Sequence, residues 1–198
     1  MGLVRMQEIL ARLYTDASFR GDFFADPSGQ GEALGLGEEE TRQLATLSPA
    51  QVDFFALQLH RKRLGEVRHL LPFTFKALKD QFNYLFFRYA DSYLPSGIKK
   101  HQEDAISFAG FLQRYAEAES IEPTWAIEIA RYEATWLEAV IAAQCILLRV
   151  FRCDVSRAIW NLRTEGPIPE LSRRPSIGVW VRLHRSARVK HAMICMRI

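Results

Sequence analysis

Apolar residues recur at steps of three and four along most of the chain before residue 152, so the pattern is helical before any composition is considered. The densest case lies in 71–97. Phe75, Leu78, Phe82, Leu85 and Tyr89 share one face between Pro72 and the turn residues Leu94-Pro95-Ser96-Gly97, and Phe73, Phe86 and Tyr93 widen the stripe. The spacing predicts one helix over 72–94, packed from more than one side as a seam between the helices before and after it. Upstream, Met6, Ile9, Leu10 and Leu13 predict a helix over 4–14, and Phe19, Phe23 and Phe24 a second, short one. Asp26-Pro27-Ser28-Gly29 should end that helix, and Gly31, Gly35 and Gly37 read as a turn-rich loop without a phosphate-binding pattern. Glu38-Glu39-Glu40 opens an acidic helix reaching Leu47. Ser48-Pro49-Ala50-Gln51 has the form of a capping box and starts a helix to about Leu70, carrying Val52, Phe55, Leu59, Leu64 and Val67.

Downstream, a helix over 99–117 turns Ala105, Phe108, Ala109 and Leu112 inward. Pro123 then starts a long helix. Trp125, Ile129, Tyr132, Trp136 and Val140 form its core stripe, and Glu128, Arg131, Glu133 and Glu138 take other faces. The apolar run that follows, with Cys145 inside it, reads as a continuation of that helix. After Arg152 the pattern changes. Gly166-Pro167-Ile168-Pro169 and Arg173-Arg174-Pro175 break any helix, 177–183 is strand-like, and 189–193 is the returning strand of a hairpin. A hairpin alone is marginal in water, so it must lie on the long helix or pair with a further strand near 150–155. The expected fold is mainly α: an N-terminal helical bundle, a long helix and a small C-terminal β-hairpin, divided into 1–118 and 119–198.

Composition supports a cored protein. Of 198 residues, 48% are hydrophobic, which suffices for one domain with or without an appendage. The longest apolar run is interrupted by Gln144 and stopped by Arg149, too short for a membrane span, and the first residues lack a signal-type apolar run. Cys145, Cys153 and Cys195 are odd in number and show no CxxC spacing, as expected of reduced thiols in the cytoplasm. The net charge of +3 conceals an asymmetry: residues 152–198 hold ten Arg/Lys and three Asp/Glu. Such a basic tail suits nucleic acid, a membrane surface or an acidic partner, and equally a plain solvated surface.

Candidate chemistry is sparse. None of the five histidines forms HExxH or HxxxH, and no serine lies in GxSxG. His101 with Glu103 and Asp104 is the densest polar set, but residues two and three positions on do not converge with it from one helix face. No catalytic residue, metal or cofactor is expected. The most basic helical run is Arg61, Lys62 and Arg63 with Arg68, a candidate phosphate-facing patch.

The pattern Leu13-Tyr14-Thr15-Asp16, Phe19-Arg20, Phe23-Phe24-Ala25-Asp26-Pro27, Leu34-Gly35-Leu36 and Glu38-Glu39-Glu40 resembles the helical unit of LigA-like small subunits of extradiol dioxygenases. A wider set looks like the HvfC/BufC-related helical accessory proteins. It comprises Lys62-Arg63-Leu64, Val67, Leu71-Pro72, Phe87-Arg88-Tyr89-Ala90, Leu94-Pro95, His101, Asp104-Ala105, Arg174-Pro175 and Val179-Trp180. That second resemblance implies a non-catalytic partner that brings a precursor peptide to a multinuclear iron-dependent enzyme. Members are also described as DNA-binding. On the peptide reading, an exposed C-terminal strand accepts the peptide by strand addition. Ile177, Val179, Trp180, Val181, Arg182 and Val189 would then line the binding edge. On the alternative, the basic tail and Arg61, Lys62, Arg63 and Arg68 meet nucleic acid.

Overall fold

The computed structural model describes residues 2–91, 93–94, 99–164 and 174–196. The Pro95-Ser96-Gly97 turn and the 166–169 breaker lie outside the described residues. The fold is mainly α with a small three-stranded antiparallel sheet near its C-terminal end. The chain divides into two compact units, Met1–Arg63 with Ala90–Leu94, and Leu64–Tyr89 with Pro95–Ile198. The expected division at residue 118 falls inside the second of these.

The first unit holds α1 (Gly2–Thr15), α2 (Ala17–Ala25), α3 (Pro27–Ala33), α4 (Glu38–Ala45) and the start of α5 (Pro49–Leu70). Ile9, Leu13, Phe19, Phe23, Leu44 and Val52 form its core. Short helices follow one another here because each is closed and reopened by a side chain. Asp16 Oδ1 accepts from Phe19 N at 2.9 Å, and Asp26 Oδ1 from Gly29 N at 3.0 Å. The second cap corrects one expectation. Asp26-Pro27 does end α2, but proline is favourable at a first helical position, so the same residues start α3 where a glycine loop was expected. Glu40 Oε2 accepts from Gly37 N at 2.9 Å at the head of α4. On α5, Val52 is buried, whereas Phe54, Phe55 and Leu59 are exposed, so Phe55 and Leu59 are not core residues.

The second unit contains the end of α5, then α6 (Pro72–Leu78), α7 (Asp80–Ala90), α8 (Lys100–Ala118), α9 (Ala126–Ile141), β1 (Cys145–Phe151), α10 (Val155–Thr164), β2 (Ser176–Arg182) and β3 (Lys190–Cys195). The single helix expected over 72–94 is two. Lys79 takes φ 50°, a left-handed conformation no helix interior contains, and the periodic stripe continues across the break. The seam itself is aromatic: Phe82, Phe86 and Tyr89 surround Phe108 of α8, with centroid distances of 5.1, 5.3 and 5.4 Å. Edge-to-face contacts of this kind add to the burial of the rings.

The long helix also ends sooner than its apolar run. Ala142 turns extended at ψ 139°, and Cys145 begins a strand. Short apolar runs do not distinguish helix from buried strand, and pairing with β2 decides this one. The hairpin therefore gains the third strand it required, at Cys145–Phe151, slightly before the expected 150–155. The sheet order is β1-β2-β3, with Leu148 opposite Val179 and Val179 opposite Ala192. Its inner face rests on α9. Trp180 is fully buried beside His191 (4.7 Å), Tyr132 (5.6 Å) and Trp136 (6.4 Å). Gly178 is required by this packing, because a Cβ there would lie 2.5 Å from the Trp180 ring.

Candidate functional site

Alternation along the strands separates two faces. Cys145, Leu147, Arg149 and Phe151 share the inner side with Ser176, Gly178, Trp180 and Arg182 and with His191 and Met193. The outer side carries three cross-strand rows: Ile146, Val181 and Lys190; Leu148, Val179 and Ala192; Val150, Ile177 and Ile194. Eight of these nine side chains are apolar. Ile146 is 77% exposed, Leu148 and Ile194 are each 59% exposed and Val150 49%. A sheet with one face on the core commonly alternates apolar-in with polar-out, and this apolar outer grid departs from that pattern. The described strands carry Arg149, Arg182 and Lys190 and no carboxylate.

The structure distributes the expected binding residues over both faces. Ile177, Val179 and Val181 lie on the outer grid. Trp180 does not: it is sealed beneath the sheet. Arg182 is committed to structure, donating to the carbonyls of Val140 (2.6 Å), Ala142 (2.9 Å), Ala187 (3.1 Å) and Arg185. It ties the α9–β1 junction to the β2–β3 turn. Val189 precedes β3 and is half-buried. β2 cannot be the receiving edge, because it pairs on both sides; among the described residues the open edges are β1 and β3. Sequence reasoning missed Ile146, Leu148 and Val150, whose alternation was hidden inside the apolar run assigned to a helix.

The basic patch divides in two. Arg61 and Lys62 are exposed on α5 and make no ion pair among the described residues. Arg63 donates to the Tyr93 carbonyl at 2.9 Å. Arg68 binds Asn83 Oδ1 and lies 4.8 Å over the Phe75 ring. Asp104 is buried and receives the Tyr89 hydroxyl at 2.8 Å, which places it in the aromatic seam and away from a ligand set with His101. Among the described residues, no group of three His, Cys, Asp or Glu side chains could hold a metal ion.

Two buried carboxylates on α9 escaped the sequence reading, since their positions off the stripe suggested exposure. Glu133 accepts from Phe73 N (2.9 Å), Thr74 N (2.8 Å) and Thr74 Oγ1 (2.6 Å) at the head of α6. Burial nonetheless prevails over these three donors and raises its pKa from 4.5 to about 7. Glu128 is 7% exposed and takes Arg131 Nη1 at 2.8 Å and Arg152 N at 3.3 Å. It lines a cavity of about 670 Å³ formed by the end of α8, the α8–α9 turn, the start of α9 and the residues after β1. Cys153 lies in the same cavity, where burial first, then Glu128 and Asp154, push its thiol up to about 12. That thiol is not a nucleophile at neutral pH. Burial also lowers the His191 pKa and favours its neutral ring.

The chain matches no family model, and no curated protein matches its sequence. No described helix is long and apolar enough to cross a membrane.

Proposed function

We propose that this protein is a non-catalytic accessory protein that presents its C-terminal sheet to an extended peptide, to a peptide-modifying enzyme, or to both. The observation that carries the reading is the outer grid of eight apolar side chains beside open strand edges. An added strand gains main-chain hydrogen bonds from an open edge, and its alternate side chains extend the apolar face. The resemblance to HvfC/BufC-related proteins supplies the partner class, an iron-dependent oxidative enzyme and its precursor peptide. The test is co-purification of the protein with the products of its neighbouring genes, which on this reading are an iron-dependent enzyme and a small cysteine-containing peptide. Wild type should retain one or both, and Leu148→Lys with Ile194→Lys should lose them without losing its fold. Failure of the folded wild type to associate with either component would remove the reading.

A second reading, a nucleic-acid-binding regulator, is favoured by the basic tail and by the exposed Arg61 and Lys62. It requires duplex or single-strand binding that weakens steeply with salt and with Arg61→Glu and Lys62→Glu. Absent or salt-insensitive binding excludes it.

A further inference from the structure

The cavity beside Glu128 has a chemistry that neither the sheet nor the basic patch uses. Its floor holds a carboxylate with spare capacity. Glu128 Oε2 takes both contacts from Arg131 and Arg152 N, while Oε1 accepts no hydrogen bond among the described residues. A carboxyl oxygen without a partner on a residue that lines a cavity is an acceptor open to a donor. Glu117 stands exposed at the same cavity and is likewise without a hydrogen bond or ion pair among the described residues. Arg152 also lines the cavity: its backbone N–H is anchored to Glu128, and its exposed side chain makes no hydrogen bond or ion pair among the described residues. Ile121, Trp125 and Ile127 supply apolar wall. Residues of opposite charge therefore line one apolar-walled recess.

We propose that this cavity binds a small zwitterionic ligand of the short-peptide class. Glu128 Oε1 and Glu117 receive its ammonium, Arg152 receives its carboxylate, and Trp125 with its two isoleucine neighbours contacts the apolar side chains between them. Two features select this class. A simple anion would face two carboxylates, and a simple cation would face the guanidiniums of Arg131 and Arg152, whereas a zwitterion satisfies both signs. The volume of about 670 Å³ lies in the range of small-ligand pockets and exceeds the needs of a single amino acid. The proposal is independent of the sheet reading, since no outer-grid residue lines this cavity.

The test uses the whole chain and three probes: trileucine with free termini, N-acetyl trileucine and trileucine amide. Binding is followed by titration calorimetry and by the Trp125 indole resonance. Free trileucine should bind saturably and shift Trp125. Acetylation or amidation should each weaken binding by about tenfold or more, as expected on losing a charge-assisted contact. Arg152→Ala should weaken trileucine binding to a similar degree and abolish the discrimination against the amide. Glu128→Gln should abolish the discrimination against the acetylated form, an effect that loss of packing alone would not produce. Arg152 is exposed, so its variant keeps the test open even where the Glu128 variant is poorly folded. Absence of saturable binding by free trileucine overturns the proposal. So does binding that ignores acetylation and amidation, or that leaves Trp125 unmoved.

Discussion

Glu133 makes the stability of the second unit depend on pH in a defined direction. The residue is 6% exposed and its pKa rises from 4.5 to about 7, by desolvation opposed by the three donors of Phe73 and Thr74. Below pH 4.5 the group is protonated in both folded and unfolded chains, and its contribution to stability is fully present. As pH rises through 4.5 the unfolded chain ionises first, while the folded chain keeps its proton until about pH 7. Stability must therefore fall across that window and level off above it. At ~1.4 kcal/mol per pH unit, the loss is about 3 kcal/mol. Other groups titrate in the same range, so the measurement is a difference. Denaturant unfolding is followed at several pH values from 4 to 8 for wild type and Glu133→Gln, which cannot ionise and retains an acceptor oxygen. The wild type should lose about 3 kcal/mol relative to the variant between the ends of the range. A flat difference, or one in which the wild type gains with pH, would refute desolvation as the dominant influence and leave the donors of α6 in control.

Phe82 and Phe108 are both fully buried in the seam, and Phe82→Ala should cost about 3–5 kcal/mol by equilibrium unfolding. Thr74→Val removes the 2.6 Å hydroxyl contact to Glu133 and should destabilise by about 1.5–3 kcal/mol at pH 8, and by less at pH 4, where the carboxyl is protonated. Gly178→Ala should destabilise without unfolding the helices: the Trp180 ring must shift, visible as altered tryptophan fluorescence with little change in far-ultraviolet circular dichroism. In native protein, a thiol reagent should label exposed Cys195 first and buried Cys153 last, with Cys153 reacting freely only after denaturation.

The sequence disclosed the helical elements wherever one face was apolar and the ends carried their own stop signals. It placed Phe82, Tyr89, Phe108 and Leu112 in a core correctly because their periodicity is local information. It failed where the decision is non-local. The break at Lys79 does not interrupt the apolar stripe, so no spacing argument detects it. Cys145–Phe151 became a strand because a partner some thirty positions later pairs with it, a choice invisible in a window. The burial of Glu128 and Glu133 was hidden for a related reason. Carboxylates off the main stripe read as solvent-facing unless the donors that meet them, Arg131 and the head of α6, are known in space.

These failures concentrate on α9 and the sheet that follows it, and one physical cause links them. α9 is packed on several sides: against α6 through Glu133, against α8, and against the sheet through Tyr132 and Trp136. A helix so surrounded leaves no room for a second layer on the sheet's inner side. The three strands accordingly spend their inner residues on Trp180, Gly178 and Arg182, which are fixed by rings and carbonyls. Their apolar outer residues have no remaining intramolecular use among the described contacts. Burial of Ile146, Leu148, Val150 and Ile194 by a partner would contribute about 1–2 kcal/mol for each side chain, since each is already partly covered, before the cost of association. Lysine at Leu148 should therefore be nearly neutral for folding and severe for binding. A large loss of stability in that variant would mean that the outer face is covered from within the chain.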